Sequence, residues 1–158
     1  MSYTENFKKF VVVLNRRHPG PRLMNAACHA MAGLAATVGA DEAEMLPYPS
    51  EAAGFCAQIS RFPVIVLEAR NSSQLASLSA AASQAGPAVI HNVFVASMIG
   101  ASAAAQQEAT RTARAEELDY MAVVLFGAAV DLDPMTKKFS LMRDATAPSE
   151  GAHHAVLT

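Results

Sequence analysis

The chain has no tryptophan, only two cysteines in 158 residues, and charged side chains at just 16%. Each scarcity excludes something. Cys28 and Cys56 are too few to frame a disulfide-stapled secreted fold. Charge this far below the ~25% of an ordinary soluble domain predicts a surface partly covered by another subunit. The net charge of −2 and isoelectric point near 6.2 argue against RNA or DNA as the partner. Dedicated nucleic-acid domains usually lie above about pH 9. No long uninterrupted apolar run occurs. The most apolar window, Ala88 to Ala105, is broken by His91, Asn92 and serines, which makes it a poor membrane span. The first residues are polar, carry Glu5 and lack a basic-then-apolar leader, so the expected location is the cytoplasm, with reduced thiols. Neither GxGxxG nor GxxxxGK[ST] occurs, and the five histidines show no HExxH spacing. No cofactor and no metal are expected.

What is present is apolar content of 52% and a mean hydropathy of +0.20, which rule out a disordered chain. The length suits one domain. Residues 1–144 read as that domain. Residues 145–158, with the His153-His154 pair, read as a loosely held tail.

Lys8 to Asn15, KKFVVVLN, is a β-branched run between charge and turn residues, the pattern of a buried central strand. Arg16 to Pro21 follows as a loop. From Arg22, Leu23, Ala27, Met31, Leu34 and Val38 recur at helical spacing, with Gly39 as the C-cap. Between Asp41 and Phe62, Ser50 before Glu51 predicts a short helix ending near Ser60. Pro63 to Ala69 is a strand. A helix capped around Asn71 to Ser73 runs to Ala85, with Leu75 and Leu78 inward. Ala88 to Ala96 is a strand, Ala101 to Leu118 a helix, and Tyr120 to Ala128 a strand. A helical turn at Val130 to Thr136 precedes a short strand, Lys138 to Arg143. Strands alternating with helices predict a largely parallel sheet covered on both faces.

The segment from Asn15 to His29 carries most of the candidate chemistry. It leaves a central strand and enters a helix, the edge at which open α/β sheets bind ligands. Arg16, Arg17, His18 and Arg22 concentrate positive charge there, and Arg22, Asn25 and His29 share one helix face. His91 and Asn92 interrupt an apolar strand and are the other candidates. Together, Arg16, His18, Arg22, Asn25, His29, His91 and Asn92 are expected to line one pocket for a small anionic or polar ligand. Cys28 and His29 point about 100° apart on a helix and form no nucleophile–base pair; both cysteines read as buried small thiols. Glu116, Glu117 and Asp119 read as a solvated helix end, and Asp131 and Asp133 as caps.

At KKFVVVLN and GPRLMNAACHAMAGL, joined with VVLFGAAVDLDPMTKKFSLMR, the chain resembles the peptidyl-tRNA hydrolase type II superfamily. It looks closest to a branch of uncharacterised bacterial proteins with that fold, a domain of unknown function. The resemblance spans roughly Lys8 to Arg143. It implies a three-layer α/β/α sandwich around a four-stranded mixed sheet, to which the short strand read above would add a fifth. The hydrolases carry a Lys-Gly-Lys cluster, a Gln before a His-Ala pair, and an Asp after the third strand. Here those positions read Gly20-Pro21-Arg22, Ala26 and Asn92; His29-Ala30 matches. An amide cannot serve as a carboxylate base.

The first functional expectation is therefore a small binding or regulatory protein. The second is a hydrolase of peptidyl-tRNA or a related acyl ester, with Arg22 holding phosphate and His18 or His91 as base. The alanine-dense helix from Ala101 to Ala115 is the expected surface of a homo-oligomer, because small side chains let helices approach closely.

Overall fold

Strand β1, Lys8–Asn15, forms where the sequence pattern places it, and its alternate residues feed two separate cores. The structure is a computed structural model and describes residues 7–100 and 102–143. The expected tail with His153 and His154 lies outside the described residues, as does Ala101.

Helix α1, Gly20–Val38, follows β1. It starts two residues earlier than the apolar pattern suggests, because Pro21 fits a first turn whose N–H needs no partner. It ends at Gly39, whose φ of 83° favours glycine. Its buried stripe is Leu23, Ala26, Ala30, Leu34 and Val38, with Ala27 and Met31 only partly covered. The stripe is thus centred one residue away from the expected line, on two alanines small enough to let the helix lie close on the sheet. Cys28 falls on the solvent side and is exposed, against expectation.

The expected helix near Glu51 is instead a hairpin, β2 (Met45–Ser50) and β3 (Phe55–Ser60). Ser50 does cap: its hydroxyl accepts from Ala53 N at 3.3 Å. The turn then closes through Gly54 N to Ser50 O at 2.9 Å, with Gly54 at φ 70°. The alternation of Phe55, Ala57 and Ile59 has the period of a strand. Cys56 sits in this hairpin and is exposed rather than buried.

Strand β4 (Val64–Ala69) leads into α2 (Ser72–Gln84), capped by the Asn71 side chain accepting from Gln74 N at 3.0 Å. Strand β5 (Val89–Val95) is followed by α3 (Ala103–Thr112), shorter than expected. Glu117 explains the early stop: its carboxylate accepts from Arg114 N at 3.0 Å, which favours a separate 3-10 turn at Ala115–Glu117. Strand β6 (Tyr120–Ala128), helix α4 (Ala129–Thr136) and the two-residue β7 (Ser140–Leu141) complete the chain.

The main sheet is mixed, with five strands in the order β5-β6-β1-β4-β7. Among the described residues only the β1–β4 pairing is parallel; β6 runs against both β1 and β5, and β7 against β4. The expectation of a largely parallel sheet fails for a geometric reason. Helix α3 buries none of its residues and lies off the sheet, so the chain leaves and re-enters at the same edge and must return antiparallel. Helix α1 covers one face over β1, β5 and β6, and α2 and α4 cover the other. No helix among the described residues is long and apolar enough to cross a membrane.

The carboxyl ends of β1, β4 and β5 meet the start of β6 at one edge, where Asn15 is 1% exposed. Its amide donates to Tyr120 O at 3.0 Å and accepts from Arg17 N at 3.1 Å. Ser72 holds the same strand from the other face: its hydroxyl accepts from Tyr120 N at 2.8 Å and donates to Leu118 O at 3.2 Å. Replacing a buried, doubly bonded amide leaves partners unsatisfied, at about 1–3 kcal/mol. Asn15→Ala should therefore lower the unfolding free energy by about 2 kcal/mol in urea titrations. A loss within error of zero would show that water replaces the amide without cost.

Candidate functional site

The expected site residues sit along this carboxyl edge and on the two faces behind it, and they divide among separate surfaces. Arg16, the first residue after β1, turns toward β4. Its guanidinium lies 3.7 Å from Glu68, and its backbone N–H donates to Ala69 O at 3.0 Å. It lines a cleft of about 550 Å³ with Glu68, Arg70, Gln74, Lys138 and Ser140. Arg17 is tied across the same gap, its Nε donating to Arg70 O at 3.1 Å.

This cleft lies where topology favours a ligand. β1 and β4 are the parallel neighbours of the sheet, and the helices that follow them go to opposite faces. Such a switch opens a crevice beyond the strand ends. Arg70 is the first residue after β4, as Arg16 is after β1, and Lys138 comes from the loop between α4 and β7. Three cationic residues from three loops thus line the cleft together with one carboxylate, and of these Arg16 is the one placed beside it. Sequence reading missed Arg70, Gln74 and Lys138. The available signal was that Arg16 and Arg70 each follow a β-branched strand directly, but the adjacency of those strands is a tertiary fact.

His18 points elsewhere, toward the start of β6, with Nε2 3.0 Å from Asp119 Oδ2. Asp119 is therefore not a bare solvated charge as expected; its carbonyl also accepts from Ala96 N at 2.9 Å. Arg22 and Asn25 lie on the exposed side of α1. His29, one turn further, is exposed and stacks on Phe94, with centroids 5.7 Å apart and 25° between planes.

The strand pleat separates His91 from Asn92. His91 turns to the α2 face, where Nε2 lies 3.4 Å from the Ser83 hydroxyl, and burial holds its pKa below the usual 6.5. Asn92 turns to the α1 face and donates its amide to Ala30 O at 3.0 Å. It lines a smaller cleft of about 380 Å³ with His29, Phe94, Met98 and Gln106. His29 and Asn92 are thus brought together; Arg16 and His91 line other surfaces. Because the partner of Asn92 is a carbonyl, this position needs a donor that an ionised carboxylate lacks. The amide also passes over Gly33, where an added Cβ would lie 2.5 Å from Asn92 Nδ2.

Comparison with known proteins identifies a family and a fold. A family model described as "Protein of unknown function (DUF2000)" matches residues 8–143. A solved structure of a protein of unknown function from Agrobacterium tumefaciens strain C58 is similar, with a TM-score of 0.73 at 17% identity. The match covers 87% of this chain and 98% of that one, and at this identity the likeness is one of fold. No curated protein matches the chain.

The contact between Gly33 and Asn92 gives a test of the local geometry. In a helix interior, Gly→Ala gains about 0.8–1.0 kcal/mol when nothing obstructs the methyl. Gly33→Ala should realise that gain only in an Asn92→Ala background. In the parent chain, displacing the Asn92 amide should cancel or reverse it, giving a coupling of at least about 1 kcal/mol in a double-mutant cycle. Additive effects would mean that the amide yields freely.

Proposed function

The chain belongs to the DUF2000 family, and from the geometry above we propose that it is a binding protein for a small anionic ligand at the carboxyl edge of its sheet. The observation that carries the reading is the convergence of Arg16, Arg70 and Lys138 on one cleft at the β1–β4 switch, against the single carboxylate of Glu68. Guanidinium groups suit a phosphate or carboxylate because their planar donors can grip two oxygens at once. Gln74 and Ser140 add neutral polar atoms to the rim. Of the residues first considered for the ligand, Arg16 remains central to this proposal. His18 supports the loop from its Asp119 contact, and Arg22, Asn25, His29 and Asn92 belong to the α1 side.

The same reading assigns the domain to the type II peptidyl-tRNA hydrolase-like fold, acting in the cytoplasm. Helices on both faces of a mixed sheet, with a basic loop after the first strand, support that assignment. Hydrolysis of peptidyl-tRNA or a related acyl ester stands second. His18, paired with Asp119, would be its base. Against it, Asn92 occupies the position of the hydrolases' Asp and commits its amide to the backbone of α1.

Thermal unfolding in the presence of inorganic phosphate tests the first reading, with chloride at matched ionic strength as control. A ligand that binds only the folded chain stabilises it by about 2.7 kcal/mol at 100 times its Kd, which raises Tm by several degrees in a domain of this size. Phosphate or a phosphomonoester should produce such a rise, and Arg16→Ala or Arg70→Ala should remove it while Arg22→Ala leaves it intact. A rise lost in Arg22→Ala but kept in Arg70→Ala would move the site to the start of α1. No rise with any phosphate or carboxylate probe would sink the proposal.

A further inference from the structure

Among the described residues, the hairpin of β2 and β3 is a two-stranded sheet paired only with itself. Its register sorts the side chains into two unlike faces. Leu46 opposes Ile59, Tyr48 opposes Ala57 and Ser50 opposes Phe55 on one face; Met45, Pro47, Pro49, Cys56, Gln58 and Ser60 lie on the other, where Met45 is the one large apolar side chain exposed. The first face points its large apolar groups into solvent: Leu46 is 40% exposed, Tyr48 51%, Phe55 58% and Ile59 52%. Neither strand contains a charged residue. A lone hairpin is marginally stable in water, and monomeric proteins protect exposed strands with charge. Among the described residues, this one has no covering layer, and its strands carry no charge.

We propose that this face is the interface between two copies of the chain, each hairpin laying its Leu46, Tyr48, Phe55 and Ile59 face on the other's. A second copy is the fitting occupant because a twofold contact brings the same patch against itself, and an uncharged apolar patch meets its own image without like-charge repulsion. Pro47 and Pro49 remove two N–H donors from β2, so lengthening the sheet at that edge is disfavoured. The area also fits. Aromatic side chains bury roughly 150–250 Å² each, so Tyr48 and Phe55, about half exposed, offer roughly 200 Å² per copy, and the smaller Leu46 and Ile59 add somewhat less. The four groups thus supply under half of the ~800 Å² each partner gives a standard interface, the apolar centre of a contact that polar neighbours complete. Helix α3, the surface from which self-association was expected, offers only methyl groups among Gln106, Gln107, Glu108 and Arg111.

Light scattering on the full chain at high micromolar concentration should give twice the 16.6 kDa monomer mass. Phe55→Glu combined with Ile59→Lys should give a monomer with an unchanged circular dichroism spectrum. A monomeric parent chain would overturn the proposal. So would a dimer that survives the double variant, or one dissociated instead by Ala104→Glu in α3. If the double variant does not fold, Tyr48→Cys in a Cys28→Ser, Cys56→Ser background supplies the second readout. An intermolecular disulfide formed on mild oxidation supports the interface, and failure to cross-link contradicts it.

Discussion

The backbone of Tyr120 is held from both sides, its carbonyl by the Asn15 amide and its N–H by the Ser72 hydroxyl. This clamp is the constraint on which the carboxyl edge depends. Asn15 ends β1, Ser72 opens α2, and Tyr120 starts β6, so two short polar side chains fix three separate segments of chain. Neighbouring backbone bonds extend the clamp to β4 through Arg16 N and to β5 through Asp119 O. Arg16 and Arg70 leave adjacent strand ends and line the same cleft, to which the loop before β7 adds Lys138. The geometry of the proposed binding edge therefore rests on a buried asparagine.

A second constraint acts behind the edge, in the approach of α1 to the sheet. Ala26, Ala30 and Gly33 make the inner side of the helix shallow, and Asn92 uses the space to bond a mid-helix carbonyl. On the next residue of the strand the pleat sends His91 the other way, toward Ser83 on α2. Two polar residues adjacent in sequence thus serve opposite layers. That division, rather than any property of imidazole or amide, keeps them from acting together.

Much of this was legible in the sequence, and the exceptions share a cause. β1, β6 and the Asn71 cap follow from local pattern and lie where it places them. The hairpin was misread because a Ser-Glu pair signals a turn as readily as a helix, and the prolines hid the alternation of Tyr48 and Leu46. The alternation of strands and helices points to a largely parallel sheet, whereas the resemblance implies the mixed sheet that is found; the difference lies in α3, which buries no residue and returns the chain antiparallel. For the site, the charge of the loop after β1 was visible, and so was Arg16. Its partners were not, since Arg70 and Lys138 join it only through strand order, which periodicity does not encode. The pairing of His18 with Asp119 was hidden for the same reason.

The most direct test of the central claim is a titration of the isotopically labelled chain with inorganic phosphate, followed by amide and arginine side-chain NMR signals. The account predicts saturable shifts centred on Arg16, Arg70, Gln74 and Ser140, with His29 and Asn92 unmoved. Shifts confined to Arg22, Asn25 and His29, or spread evenly over the surface without saturation, would contradict it.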